Sequence, residues 1–222
     1  MLFELENVSL TRAGNPVLRE FTATIPDGAT CLAGPSGAGK STVLRLLDRL
    51  ADSESGTVRY RGEDVRGCDP LELRRQVCLV PQLPALLEGS VEDNLRFAAG
   101  LAGREPDVAG LLELAGLDPS FAGRDGSRLS VGEQQRAMLA RGLALEPTTL
   151  LLDEPTSALD DATTVAIEQT LLEMRARLGI SIVLVTHDLE QARRISDWVV
   201  RLDQGRSVAE GPTTELLSAV TG

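Results

Sequence analysis

From Leu2 to Leu10 apolar and polar residues alternate, and beyond Gly14-Asn15-Pro16 a second alternating run extends from Val17 to Ile25. Period-two alternation marks half-buried strands, and the turn residues between the runs predict an antiparallel hairpin. Thr30 to Ala33 is a compact buried-strand pattern that leads straight into a glycine-rich segment, after which Ser41 to Leu50 carries apolar residues at helical spacing. The turn-rich stretch Ser53 to Pro70 holds a short strand at Thr57 to Tyr60, and Val77 to Val80 reads as a further buried strand. From Ser90 to about Leu145 the period becomes helical, over Val91 to Ala99, Asp107 to Ala115 and Val131 to Leu145. Strands and helices then alternate: Thr149 to Leu152, Ala162 to Leu178, Ile180 to Thr186, Leu189 to Ile195 and Trp198 to Leu202. The order predicts a mixed α/β core with parallel strands, an N-terminal antiparallel β part and a helical insertion.

Composition narrows this picture. The chain has 222 residues, 42% hydrophobic and 25% charged, as in a globular protein, with aromatics at only 3%. The core therefore rests on Leu, Val, Ile and Ala. Apolar runs such as Ile182 to Val185 and Leu150 to Leu152 are far short of a membrane span. Met1 to Leu10 has no basic segment followed by an apolar one, so no secretion signal is expected. Cys31, Cys68 and Cys78 lack metal-ligand spacing and are expected as free thiols of a reducing cytoplasm. A net charge of −11 argues against nucleic acid as the main ligand and against adsorption to anionic lipid.

The candidate chemistry starts at Lys40, the single lysine beside twenty-one arginines. It sits in Gly34-Pro35-Ser36-Gly37-Ala38-Gly39-Lys40-Ser41, which fits G-x-x-x-x-G-K-[ST] without a mismatch, with Thr42 following. Backbone N–H groups of such a loop face phosphate oxygens, backed by the positive end of the next helix. Lys40 then bridges the terminal phosphates and Ser41 offers its hydroxyl to Mg²⁺. A glycine-rich turn before an ordinary helix is the plainer reading. Leu150-Leu151-Leu152-Asp153-Glu154-Pro155 is a buried strand ending in two carboxylates. Asp153 suits the metal's water shell and Glu154 suits proton acceptance from an attacking water; a solvated acidic turn is the competing reading. Leu129-Ser130-Val131-Gly132-Glu133 contains a capping box, Ser130 with Glu133, and the same helix tip is also an anion site.

Taken together, these motifs resemble the ATP-binding-cassette (ABC) ATPases along nearly the whole chain. The resemblance implies a P-loop NTPase core over residues 1–82 and 146–222, with a helical subdomain at 83–145. It implies ATP with Mg²⁺ as ligands, and it equates Leu129 to Glu133 with the signature element, Ser130 and Gly132 contacting the γ-phosphate held by a partner subunit. Gln82 matches the glutamine that senses Mg²⁺ and water, Ser157-Ala158-Leu159-Asp160 the loop that crosses the dimer interface, and His187 the histidine that touches the γ-phosphate. Asp153 and Ser41, with Gln82, are the implied metal residues. Two departures stand out: Val131 and Glu133 where the family usually has glycine and often glutamine, and Arg12 near the position of an adenine-stacking tyrosine. A guanidinium can stack on a purine, and a solvated turn arginine fits equally.

The resemblance further implies a homodimer or heterodimer of ATPase subunits on the inner face of the membrane, held by a separate permease that selects the substrate. A cassette acting on DNA or ribosomes is the alternative, disfavoured because only 47 residues separate Gln82 from Ser130, too few for a long coiled coil. A nucleotide switch without hydrolysis is weaker still, given Lys40, Glu154 and His187. The Leu87 to Asn94 stretch and the short C-terminus are similar to small export-type ATPases of the iron-exporter (FetA-like) kind, with nutrient import as the rival.

Overall fold

The computed structural model describes residues 1–217. In chain order it contains β1 (Phe3–Arg12), β2 (Asn15–Ile25), β3 (Ala29–Ala33), α1 (Lys40–Leu47), β4 (Ser55–Tyr60), β5 (Glu63–Asp64), α2 (Pro70–Gln76) and β6 (Val77–Val80). The helices α3 (Val91–Leu101), α4 (Val108–Leu114) and α5 (Val131–Leu143) follow. The chain continues through β7 (Thr149–Asp153), α6 (Asp161–Leu178), β8 (Ser181–Thr186), α7 (Leu189–Ile195), β9 (Trp198–Asp203), β10 (Arg206–Pro212) and α8 (Thr213–Leu216).

Two sheets form. One is antiparallel with order β2-β1-β4-β5, and the other has order β10-β9-β3-β8-β7-β6, parallel except for the β9–β10 pair. The apolar runs of β7 and β8 follow from burial on both faces. Leu151, Val183 and Val185 face α1 and the antiparallel sheet, in one cluster with Phe3, Phe21, Val43 and Leu47. Leu150, Leu152, Ile182 and Leu184, one residue out of phase, pack on the helical side with Leu95, Leu112, Met138 and Leu171. The two sheets meet edge to edge. Thr24 of β2 donates its N–H and hydroxyl to the Glu210 carboxylate of β10 at 2.9 and 2.7 Å, and Arg206 pairs with Glu20.

Several boundaries depart from the sequence pattern by two or three residues. The hairpin turns at Ala13-Gly14, both at positive φ, so that Asn15 already belongs to β2. α1 ends at Leu47 and α5 at Leu143, each earlier than the apolar period suggests, and Arg49 and Glu146 beyond them have positive φ. α2 and β10 carry no clear period and were not expected. Asp69 starts α2 by accepting the N–H groups of Leu71 and Glu72, and Pro70 sits where its missing N–H costs nothing.

Candidate functional site

The parallel sheet decides where the motifs go. Ala33 of β3 is level with Thr186 of β8, Asp153 of β7 with Val185, and Val80 of β6 with Leu152. The Gly34–Ser41 loop, Glu154, His187 and Gln82 therefore leave the sheet at the same, C-terminal, end. In open α/β sheets this end is where ligands bind.

The loop is held by close backbone contact. A side chain at Gly34 would put a Cβ 2.2 Å from the Leu202 carbonyl oxygen, and one at Gly39, φ +104, would meet Leu18 and the Val17 carbonyl at 2.9 and 3.0 Å. Only glycine fits either place. No side chain caps α1, so its first N–H groups point toward the loop. Pro35, Ser36 and Gly37 are exposed at the crest, while Ala38, Lys40 and Thr42 are buried. The Lys40 ammonium, in a residue 5% exposed, donates to the Gly34 and Pro35 carbonyls at 2.7 and 3.0 Å. It thus lies across the mouth of the loop.

Ser41 Oγ donates to Asp153 Oδ1 at 2.8 Å, joining the helix start to the end of β7. The next residue, Glu154, is at φ +46, an unusual backbone for a non-glycine, and its N–H donates to the Val185 carbonyl at 3.2 Å. That twist turns its carboxylate toward its neighbours: Gln82 Nε2 is 3.4 Å and His187 Nδ1 3.6 Å from Glu154 Oε2. Gln82 also donates to Ser157 Oγ at 3.1 Å, a partner that no sequence signal had marked as part of the carboxylate's surroundings.

Six expected residues, Lys40, Ser41, Gln82, Asp153, Glu154 and His187, thus converge. Ser130 and Glu133 do not join them: among the described residues their hydrogen bonds stay at the tip of α5. Ser130 caps the helix, and its N–H and hydroxyl both donate to Glu133 Oε2, at 2.7 and 2.8 Å. These bonds hold the Glu133 carboxyl below the usual carboxylate range, with the Ser130 N–H as the largest cause. Val131 is exposed and absent from the positive-φ residues, so it leaves the cap intact. Gly132 faces α6, where a Cβ would come 2.8 Å from Thr163 Cγ2. Arg12 is exposed at the end of β1, opposite Asn15, and among the described residues no hydrogen bond or ion pair joins it to the converged group.

A second feature borders the site. Between α1, β6, α3 and α5 lies a cleft of about 550 Å³, with Asp48, Arg74 and Arg141 in its lining. Its rim holds Leu50, Leu87, Phe97 and Leu101, each 45–55% exposed. Among the described residues no helix is long and apolar enough to cross a membrane.

A family model described as ABC transporter matches residues 18–157, from the hairpin through the Asp153-Glu154 turn to Ser157. The chain belongs to the ABC transporter family. Protein STAR1 of Oryza sativa subsp. japonica is 43% identical over 210 residues, which are 93% of this chain and 61% of that protein. Among solved structures, cbiO1 of Clostridium perfringens, part of the ABC transporter complex cbiONQ, superposes with a TM-score of 0.88 at 26% identity. The match covers 98% of this chain and 90% of cbiO1. The ATP-binding cassette MJ0796, a dimer in a post-hydrolysis state bound to ADP and Pi, gives a TM-score of 0.82 at 27% identity, over 96% and 99% of the two chains. The chain is accordingly an ATP-binding and ATP-hydrolysing ABC ATPase with the expected α/β core. Relatives include proteins named as uptake and import ATP-binding proteins, and the DNA- or ribosome-acting alternative is not favoured.

Proposed function

We propose that two copies of this ATPase, or this chain and a close relative, close head to tail around two ATP molecules and drive a separate membrane permease. The observation that carries this reading is the convergence at the sheet's C-terminal end, with the Glu154 carboxylate between Gln82 and His187. The loop Gly34 to Ser41, with Thr42 in the first turn of α1, cradles the phosphates of one ATP. Ser130, Gly132 and Glu133 of the second copy close over its γ-phosphate. This pairing accounts for why, among the described residues, the hydrogen bonds of Ser130 and Glu133 stay at the α5 tip. Arg12 lies beside the adenine in this scheme.

Glu154 acts as general base. Its oxygen accepts the proton of the attacking water while His187 orients both and Lys40 neutralises charge gathering on the γ-phosphate. The arrangement also fits Mg²⁺: a hydroxyl and a carboxylate 2.8 Å apart form part of the hard oxygen set this ion takes when phosphates supply its remaining ligands, and Gln82 is hydrogen-bonded to Glu154, the residue after Asp153. Ser41, Asp153 and Gln82 would hold it. When bound, it supplies further positive charge at the phosphates.

The cleft between α1, β6, α3 and α5 is the seat of the permease's cytoplasmic helix. Residues 83–145 serve as the subdomain that joins the permease to the α5 tip. The subunit then works at the inner membrane face, held there by the permease, which alone binds the substrate. The test is Glu154→Gln: it binds ATP and accumulates as a dimer. A variant that stays monomeric with ATP and hydrolyses it at the parent rate overturns the scheme.

A further inference from the structure

Behind the two turns that carry Glu154 and His187 lies a polar network that phosphate and metal binding leave unexplained. Glu168 of α6 is 4% exposed, and its two oxygens accept from the Arg194 guanidinium, from Nε at 2.8 Å and Nη2 at 2.7 Å. Gln191 of α7, 2% exposed, donates from one amide nitrogen to Glu168 Oε1 at 3.1 Å and to Thr156 Oγ1 at 2.8 Å. Thr156 lies two residues beyond Glu154. On the other side, α7 begins directly after His187, its first turn capped by Asp188, which accepts the Glu190 N–H at 2.8 Å.

We propose that Gln191 is a positioning residue for ATP hydrolysis, tethering the Glu154 turn to the His187 helix, with Glu168 and Arg194 fixing Gln191 in turn. The inference rests on the roles given above to Glu154 and His187. A primary amide that donates on both sides cannot rotate without losing one bond, and a buried donor left unpaired is costly. The carboxylate beneath it is equally constrained, because its fork–fork pairing with Arg194 sets both position and angle. Gln191 therefore gives the two turns one fixed separation, and the 3.6 Å spacing of Glu154 Oε2 and His187 Nδ1 depends on it. Reacting groups misplaced by about 1 Å lose rate steeply even when binding survives.

The experiment compares Gln191→Leu and Thr156→Val, singly and combined, measuring ATP hydrolysis across ATP concentrations together with thermal unfolding. Each single variant is expected to lower kcat about tenfold, equivalent to about 1.4 kcal/mol, with KM for ATP within about twofold. The double variant is expected to be no slower than the slower single one, because both remove the same bond. Losses that multiply, a KM effect without a kcat effect, or a lower melting temperature with kcat intact overturn the proposal. If Gln191→Leu fails to fold, Thr156→Val, isosteric and partly exposed, decides alone. Where Glu154→Gln stops hydrolysis and neither variant slows it, only this inference falls. Where Glu154→Gln leaves hydrolysis intact, the reading of the site falls with it.

Discussion

Asp48 follows α1 and lines the cleft beside Arg74, yet it is only 2% exposed. Burial pushes its carboxyl up from 3.8 to about 6; the Leu50 N–H, which donates to Oδ1 at 3.1 Å, and the Arg74 charge offset part of that. A raised acid pKa means that the folded state binds the proton more tightly than the unfolded chain. The contribution of this one group is therefore most favourable at low pH and falls as pH rises from about 4 to about 6, after which its full penalty stays in place. The shift corresponds to about 3 kcal/mol at pH 7.5 and about 1 kcal/mol at pH 4.5. Asp48→Asn cannot ionise. Whatever constant cost its amide brings, the stability difference between variant and parent should move in the variant's favour by about 2 kcal/mol from pH 4.5 to 7.5. Urea unfolding at the two pH values measures this difference directly, and titrations common to both proteins cancel. Parallel pH curves would refute the reasoning.

Two further expectations concern the interfaces. The Glu133 carboxylate occupies the Ser130 donors; in the proposed dimer these donors would receive a phosphate oxygen, so the incoming triphosphate would meet a like charge. At about 5 Å and an effective dielectric of 20–80 this repulsion is about 1–3 kcal/mol. Glu133→Gln, in the Glu154→Gln background, should lower the ATP concentration needed for dimers by about tenfold, read by sedimentation; unchanged or weaker association would count against it. At the cleft, Phe97 is 55% exposed on an apolar rim, and Phe97→Asp should detach the subunit from its permease during co-purification. A complex recovered in full amount would remove the cleft from the docking surface.

The placement of the candidate site residues was legible wherever one short segment holds them. Gly34 to Ser41, Leu150 to Glu154 and the buried strand before His187 are of this kind, and their convergence follows from parallel-strand register. α2 and β10 were illegible for physical reasons. α2 is about two capped turns without an apolar stripe, and β10 owes its place to pairing with β9 and to the Glu210 contact with β2. Arg12 shows a different gap. Counting along the chain put it near the adenine position, but an exposed side chain at a hairpin end takes its role from a ligand. Gln191 and Glu168 were silent because a polar residue on a helix looks solvated until its partner, 23 positions away, comes into contact.

The seam between β2 and β10 also bears on how the chain avoids sticking to its neighbours. Of the strands at the sheet borders, β2 and β10 touch through the Thr24–Glu210 and Glu20–Arg206 side-chain contacts, β5 is two residues long and β6 four. A bare, long strand is a template for runaway pairing. Among the described residues this architecture offers newly made copies few such templates.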